Sequence, residues 1–204
     1  AVIHPLKVTI TNLDENHMET IEVPLHPEKP ELGSRPVYFS KHLFIDQEDF
    51  VVTKPNNKYK RLALGEEVRL FHTYFIKAND VVYNDSGEVI EILATYDPAT
   101  KSGSGFNERK PNGTIHFVEA TKAVPAKFNF FGPMITGDES LELTERFNED
   151  SWTIKEGFVE AGIKDTKPQD KYQFLRTGYF NVDLDSKADH LIFNEIVPLK
   201  SSYK

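Results

Sequence analysis

Apolar and polar residues alternate with a period of two along most of this chain, the spacing of strands that bury one face. Leu6-Lys7-Val8-Thr9-Ile10 and Thr20-Ile21-Glu22-Val23 show it early, and Val37-Tyr38-Phe39 repeats it. The same pattern predicts strands over 68–76, 80–83, 89–96, 114–118, 126–130, 152–154, 172–176, 178–183 and 191–196. Asn84-Asp85-Ser86-Gly87 separates two of them and reads as a hairpin turn. Helix is scarce: one turn at 46–50 capped by Asp46, and two turns over 140–147. Short strands divided by Gly, Pro, Asn and Asp predict an all-β chain built as barrels or sandwiches. The stretch from Lys101-Ser102-Gly103-Ser104-Gly105 to Arg109-Lys110-Pro111-Asn112-Gly113 is the predicted junction between two closely packed β units.

Composition narrows the class. With 204 residues, 39% hydrophobic and 12% aromatic, the chain can bury a core and is globular rather than disordered. No run of about 18 apolar residues is present, so no membrane-spanning helix is predicted. The chain opens at Ala1-Val2-Ile3-His4-Pro5, without an initiator Met or a secretory leader, and reads as a processed or excised piece. Zero cysteines exclude disulfides and thiolate metal sites and fit a cytoplasmic protein.

A formal net charge of −8 excludes general affinity for polyanions. Against that background, Lys54-Pro55-Asn56-Asn57-Lys58-Tyr59-Lys60-Arg61 concentrates four cations in eight residues, and the next acid along the chain is Glu66. Cations flanking an aromatic ring suit a single-stranded nucleic acid, whose phosphates meet the charges while an unstacked base lies on the ring. A plain solvated loop between two strands has the same composition.

Catalytic constellations are missing. The seven histidines show no HxH or HxxxH spacing, so no metal site is predicted. No Ser lies in G-x-S-x-G and there is no thiol nucleophile. Gly103-Ser104-Gly105 lacks the phosphate-loop pattern, and the acid pairs Glu66-Glu67 and Asp138-Glu139 fall in turns or on solvated faces.

Several blocks occur in a telling order. They are Pro36-Val37-Tyr38-Phe39-Ser40, Ile45-Asp46-Gln47-Glu48-Asp49-Phe50, Tyr59-Lys60-Arg61-Leu62, Gly65-Glu66-Glu67-Val68-Arg69-Leu70 and Thr95-Tyr96-Asp97-Pro98-Ala99-Thr100. Gly113-Thr114-Ile115-His116-Phe117-Val118, Ala123-Val124-Pro125-Ala126, Tyr172-Gln173-Phe174 and Arg176-Thr177-Gly178-Tyr179-Phe180 continue the series. Over essentially the whole chain they resemble the glutaminyl-tRNA synthetases and the related glutamyl enzymes, and the bacterial glutaminyl group most of all.

The resemblance implies the C-terminal anticodon-binding region of such an enzyme: two packed six-stranded antiparallel β-barrels like ribosomal protein L25, with few short helices. It assigns 1–23 plus 114–204 to the proximal barrel and 24–113 to an inserted distal barrel, with a crossing near Val23-Pro24. The family's catalytic domain, with its HIGH- and KMSKS-like signatures, is not in these residues. No catalytic, cofactor-binding or metal-binding residue is therefore expected here, and ATP and Mg belong to the catalytic domain of the parent. The implied partners are the tRNA(Gln) anticodon loop and that catalytic domain, in a cytoplasmic monomer.

Position by position, Lys60 and Arg61 match family residues at the third anticodon base, and Arg69 matches one at the first. Gln173 and Arg176 match residues around the central base, with Lys58, Tyr59 and Phe71 beside these positions. A guanidinium or side-chain amide can bond the Watson–Crick edge of a splayed base. Phe71 stands where bacterial relatives usually carry a second cation, Lys58 where a relative has Gln, and Gly132-Pro133 where an acidic–basic pair is usual. A family Arg that helps read the central base falls just ahead of Ala1. Within the resemblance, a glutamyl enzyme is the competing reading. Outside it stand a β-barrel protein-interaction module without RNA and a β-sandwich hydrolase.

Overall fold

The alternation fixes which side chains of the first strand point inward. In the computed structural model, which describes residues 1–26, 28–137 and 139–199, β1 (Pro5–Ile10) buries Leu6, Val8 and Ile10 and leaves Lys7 and Thr9 half-exposed. Then follow β2 (Met18–Pro24), β3 (Ser34–Ser40), β4 (His42–Asp46), β5 (Phe50–Val51), β6 (Leu62–Ala63), β7 (Glu67–Leu70), β8 (Phe75–Tyr83), β9 (Val89–Asp97), β10 (Thr114–Ile115) and β11 (Val118–Glu119). Seven of these form one curled sheet in the order β10-β7-β8-β9-β1-β4-β11. β2 and β3 pair as an antiparallel hairpin, and β5 pairs with β6.

The chain folds as two compact units. Ala1–Val124 and Phe158–Lys164 make up the first, and Pro125–Gly157 with the described residues from Asp165 onward the second. The core of the first unit gathers Val8, Ile10, Leu43, Ile45, Leu70, Ile76 and Ile92 around Phe39, whose ring lies 5.0 Å from Tyr74 and 6.3 Å from Phe117. Fully burying each such side chain contributes about 1.5–3 kcal/mol. The returning segment joins this unit through an antiparallel bridge between Val2 and Phe158 and through Phe158 stacked 4.7 Å from Phe44.

The second unit holds most of β12 (Val124–Phe131) and of β13 (Trp152–Val159), whose Val124 and Phe158–Val159 ends belong to the first, together with β14 (Lys171–Phe174), β15 (Gly178–Val182) and β16 (Leu191–Pro198); the strand order is β13-β12-β16-β15-β14. Its core is aromatic: the buried Phe128 ring is 5.7 Å from Phe193, 5.8 Å from Phe174 and 6.0 Å from Phe180.

The expectation of an all-β chain with curled, barrel-like sheets holds. The details differ. Among the described residues the two large sheets contain seven and five strands, and parallel pairs (β1 with β9, β7 with β10, β12 with β16) interrupt the antiparallel pattern. Each parallel pair joins strands separated by a long connection, as parallel pairing requires. At Val23 and Pro24, β2 continues its pairing with β3 through Val23↔Arg35 and Pro24↔Ser34.

Two local expectations fail for identifiable reasons. The run 68–76 is a hairpin rather than one strand: Thr73 N–H donates to Leu70 O (3.0 Å), and His72 closes the turn at φ 63°. β7 then folds back on β8, pairing Arg69 with Phe75. The segment 140–147 contains turns and an Ile135–Phe147 bridge rather than helix. Leu141, Leu143 and Phe147 all remain exposed, so a helix here would bury no apolar face. The single turn after Asp46 is observed as a 3-10 turn over Gln47–Asp49, with Asp46 Oδ1 accepting from Glu48 N–H at 3.2 Å. Among the described residues no helix is long and apolar enough to cross a membrane.

Candidate nucleic-acid interface

The basic stretch forms the loop between β5 and β6, and its two ends are held by different partners. At one end the Lys54 ammonium lies 3.1 Å from Asn112 Oδ1 and 3.3 Å from Glu66. At the other, Arg61 Nη1 donates to Glu48 O (2.6 Å) while its Nε sits 3.4 Å from the buried Asp49 carboxylate. The fold thus brings an acid that precedes the loop in sequence against its last cation. Lys58 and Lys60, between these ends, are exposed and make no ion pair among the described residues. Asn56 shapes the tip by accepting from Lys58 N–H at 2.8 Å, and Tyr59, half-buried, faces inward beside them.

Residues 112 and 113 set where this loop lies. Asn112 Nδ2 donates to Tyr59 O (3.0 Å) and to Arg61 O (2.7 Å), and Asn112 N–H donates to Glu67 O (2.8 Å). Gly113 O accepts from Arg69 N–H at 2.9 Å. A β-carbon at Gly113 would lie 1.9 Å from Lys60 O, so only glycine permits this approach. The stretch expected to join two units is therefore a support for the basic loop, inside the first unit.

Arg69 sits on the β7 edge of this arrangement. Its Nη1 donates to Thr73 O (3.0 Å), Thr100 O (2.9 Å) and Ser102 Oγ (2.9 Å), and its guanidinium carbon lies 4.2 Å from the Phe75 ring centre. Burial lowers its pKa. Its partners are neutral, and the carboxylate beside it in sequence, Glu67, is taken by Arg109 through two contacts at 2.7 and 2.8 Å. Arg109 also reaches Asp97 at 2.7 Å; these carboxylates, Glu67 before Asp97, hold its pKa well above the usual guanidinium range. Phe71 occupies the β7–β8 turn, anchored by its N–H to Ile115 O (2.9 Å), with its ring 4.3 Å from His72.

Gln173 and Arg176 belong to the second unit. Gln173 is exposed on β14, the edge strand, paired with Tyr179. Arg176 is exposed in the β14–β15 turn at φ 70°, not within the strand expected over 172–176. The fold therefore gathers Lys58, Tyr59, Lys60, Arg61, Arg69 and Phe71 in one unit and places Gln173 and Arg176 in the other.

Sequence reasoning missed Asn112, Gly113 and Ser102 as parts of the site. The Asn-Gly pair signals only a turn, and nothing local shows which strand that turn will face. Among the described residues no cluster of three or more His, Cys, Asp or Glu side chains is arranged to hold a metal.

Two family models, each described as the anti-codon binding domain of class I tRNA synthetases (E and Q), match residues 1–97 and 114–183. A glutamine–tRNA ligase of Clostridium perfringens is 49% identical over 209 aligned residues, covering 100% of this chain and 38% of the relative. Those of Clostridioides difficile (46%, covering 38% of the relative) and Psychromonas ingrahamii (42%, covering 37%) also align with the whole chain. The chain thus spans little more than a third of the length of the curated relatives it matches.

Proposed function

We propose, for a chain that belongs to the anti-codon binding domain family of the class I E and Q tRNA synthetases, that it recognises the anticodon loop of tRNA(Gln) for a glutamine–tRNA ligase. The observation that carries this reading is the pair Lys58 and Lys60, exposed and without ion pairs among the described residues, on a loop fixed by tertiary contacts. An unpaired ammonium on a protein of net charge −8 acts locally, where phosphates and base edges come within a few ångströms.

In this reading Lys60 and Arg61 meet the third anticodon base and its backbone, with Lys58 and Tyr59 beside them. Arg61 is partly committed to Glu48 and Asp49, so Lys60 carries the larger share. Arg69 faces the first base with the donors that its three neutral acceptors leave over, and Phe71 offers a ring where relatives carry a cation. Gln173 and Arg176 serve the central base. Aminoacylation with ATP and Mg belongs to a catalytic domain elsewhere in the longer protein, a cytoplasmic monomer, and this chain holds no cofactor.

The test is a titration with a glutamine-anticodon stem-loop and with one altered at the central base, at two salt concentrations. The chain should prefer the glutamine loop, and Lys60→Ala should lose about 1–3 kcal/mol of that binding, by analogy with base-specific side-chain contacts in DNA complexes. Equal and strongly salt-dependent binding of both loops would reduce the site to a nonspecific basic patch.

A further inference from the structure

We infer that Asn112 is a positioning residue for recognition, holding the 54–61 loop so that Lys60 meets the RNA; the inference rests on the anticodon-binding reading above. Asn112 grips the loop at both ends of its exposed part. Its amide nitrogen binds the carbonyls that flank Lys60 on either side, Tyr59 O at 3.0 Å and Arg61 O at 2.7 Å. Its amide oxygen accepts from the Lys54 ammonium at 3.1 Å, and its backbone N–H joins β7 through Glu67 O at 2.8 Å.

The chemistry requires an amide. Two carbonyls converge on one group, so that group must offer two N–H donors, while the ammonium on its other side requires an acceptor. Asparagine supplies both functions. Aspartate keeps the acceptor but presents a second oxygen to Tyr59 O and Arg61 O, replacing two hydrogen bonds with repulsion between acceptors. Serine has one donor and cannot serve both carbonyls. Gly113 completes the geometry, because the Lys60 carbonyl passes through the space a β-carbon would fill. Asn112 thus fixes the backbone on both sides of Lys60 without itself needing to reach the RNA.

Two measurements on the 204-residue chain test this. In Asn112→Asp, and in Asn112→Ser should the first variant fold poorly, amide hydrogen exchange at Tyr59 to Ala63 should speed up by about tenfold or more, while exchange in β1 and β9 stays unchanged. Binding of the glutamine-anticodon stem-loop should weaken by about five- to tenfold when Lys60 is present, the weight of one or two hydrogen bonds. On a Lys60→Ala background the same substitution should cost distinctly less, about two- to threefold, because only the smaller share carried by Arg61 is left to lose.

Equal losses on both backgrounds would overturn the inference, since they would mean that Asn112 contacts RNA directly or supports the whole fold. Unchanged exchange at Tyr59 to Ala63 would also overturn it. Failure of the unmodified chain to bind either stem-loop would remove the recognition reading, and with it the role assigned to Asn112, whatever the exchange result.

Discussion

Lys60 and Arg176 are both exposed cations at turns, yet the chain holds them by opposite means. The Lys60 backbone is gripped by Asn112, more than fifty residues away in sequence, and fits only because residue 113 lacks a β-carbon. Arg176 sits in a turn closed by a local bond from Thr177 N–H to Phe174 O at 3.0 Å, with φ at 70°. A left-handed backbone at a non-glycine residue costs about 1–2 kcal/mol, which the flanking β14–β15 pairing must offset. One cation is therefore placed by the fold of its unit and the other by its own hairpin. Damage far from Lys60 in sequence should reach it, whereas Arg176 should respond directly to what loosens its hairpin.

The largest expected effect breaks the hairpin's support. Phe128 lies under β14 and β15, against Phe174 and Phe180. Phe128→Ala should cost about 3–5 kcal/mol by leaving a cavity among rings that cannot close around it. Trp152, the single tryptophan, donates from Nε1 to Asn129 Oδ1 at 3.1 Å and so reports on the same unit. Its fluorescence should show unfolding at a markedly lower urea concentration, while amide protection in β1 and β9 falls by less. An equal fall in both would show that Arg176 and Lys60 depend on one cooperative structure.

The next effect reverses the direction. Gly113→Ala places a methyl group 1.9 Å from Lys60 O and 2.8 Å from Lys60 C, both backbone atoms that no side-chain rotation can move aside. The loop must shift, at a cost of about 1–3 kcal/mol. Urea unfolding should register that loss, and amide exchange at Tyr59 to Ala63 should rise while the Trp152 signal at low urea keeps its native value. Were stability unchanged, the close approach would not be what fixes the loop.

The contrast also explains what was legible beforehand. Alternating burial made β1, β9, β12 and β16 readable, because a strand with one dry face writes its period into the sequence. The hairpin at 84–87 was readable for a similar reason: Asn84 Oδ1 accepts from Ser86 and Glu88 N–H, a bond set made within five residues. The break in 68–76 was hidden, since Phe71-His72-Thr73-Tyr74 contains none of the usual turn residues and His72 takes a backbone shape that sequence favours in glycine. Lys58, Lys60 and Arg61 were visible as a charge cluster. What divides them into held and exposed cations was not, because Asp49, Glu48 and Asn112 reach them only through tertiary contacts.

The smallest effect sharpens the comparison through pH. In the first unit a hydrogen bond from Arg109 lowers the pKa of Asp97. A carboxyl lowered in this way contributes stability that is present above its unfolded pKa and is lost as pH falls through its folded pKa. In the second unit Glu195, on β16 at the bulge opposite Tyr179 and Phe180, has its pKa raised by burial, with only a weaker opposing pull from Lys155. The sign is then reversed: ionised Glu195 disfavours the fold at neutral pH, and the penalty fades as pH falls toward the range where it is protonated in both states. Glu195→Gln should therefore stabilise the Trp152-reported transition at pH 7 by less than about 1 kcal/mol, with the gain gone below the ordinary carboxylate range. Asp97→Asn should do the opposite in the first unit, destabilising at pH 7 and having no effect below the folded pKa of Asp97. Urea unfolding of both variants at pH 7 and at successively lower pH checks the pair, the effect of Asp97→Asn shrinking as pH falls. A stabilisation by Glu195→Gln that persists unchanged at the lower pH would mean that packing, not charge, is what the glutamate disturbs.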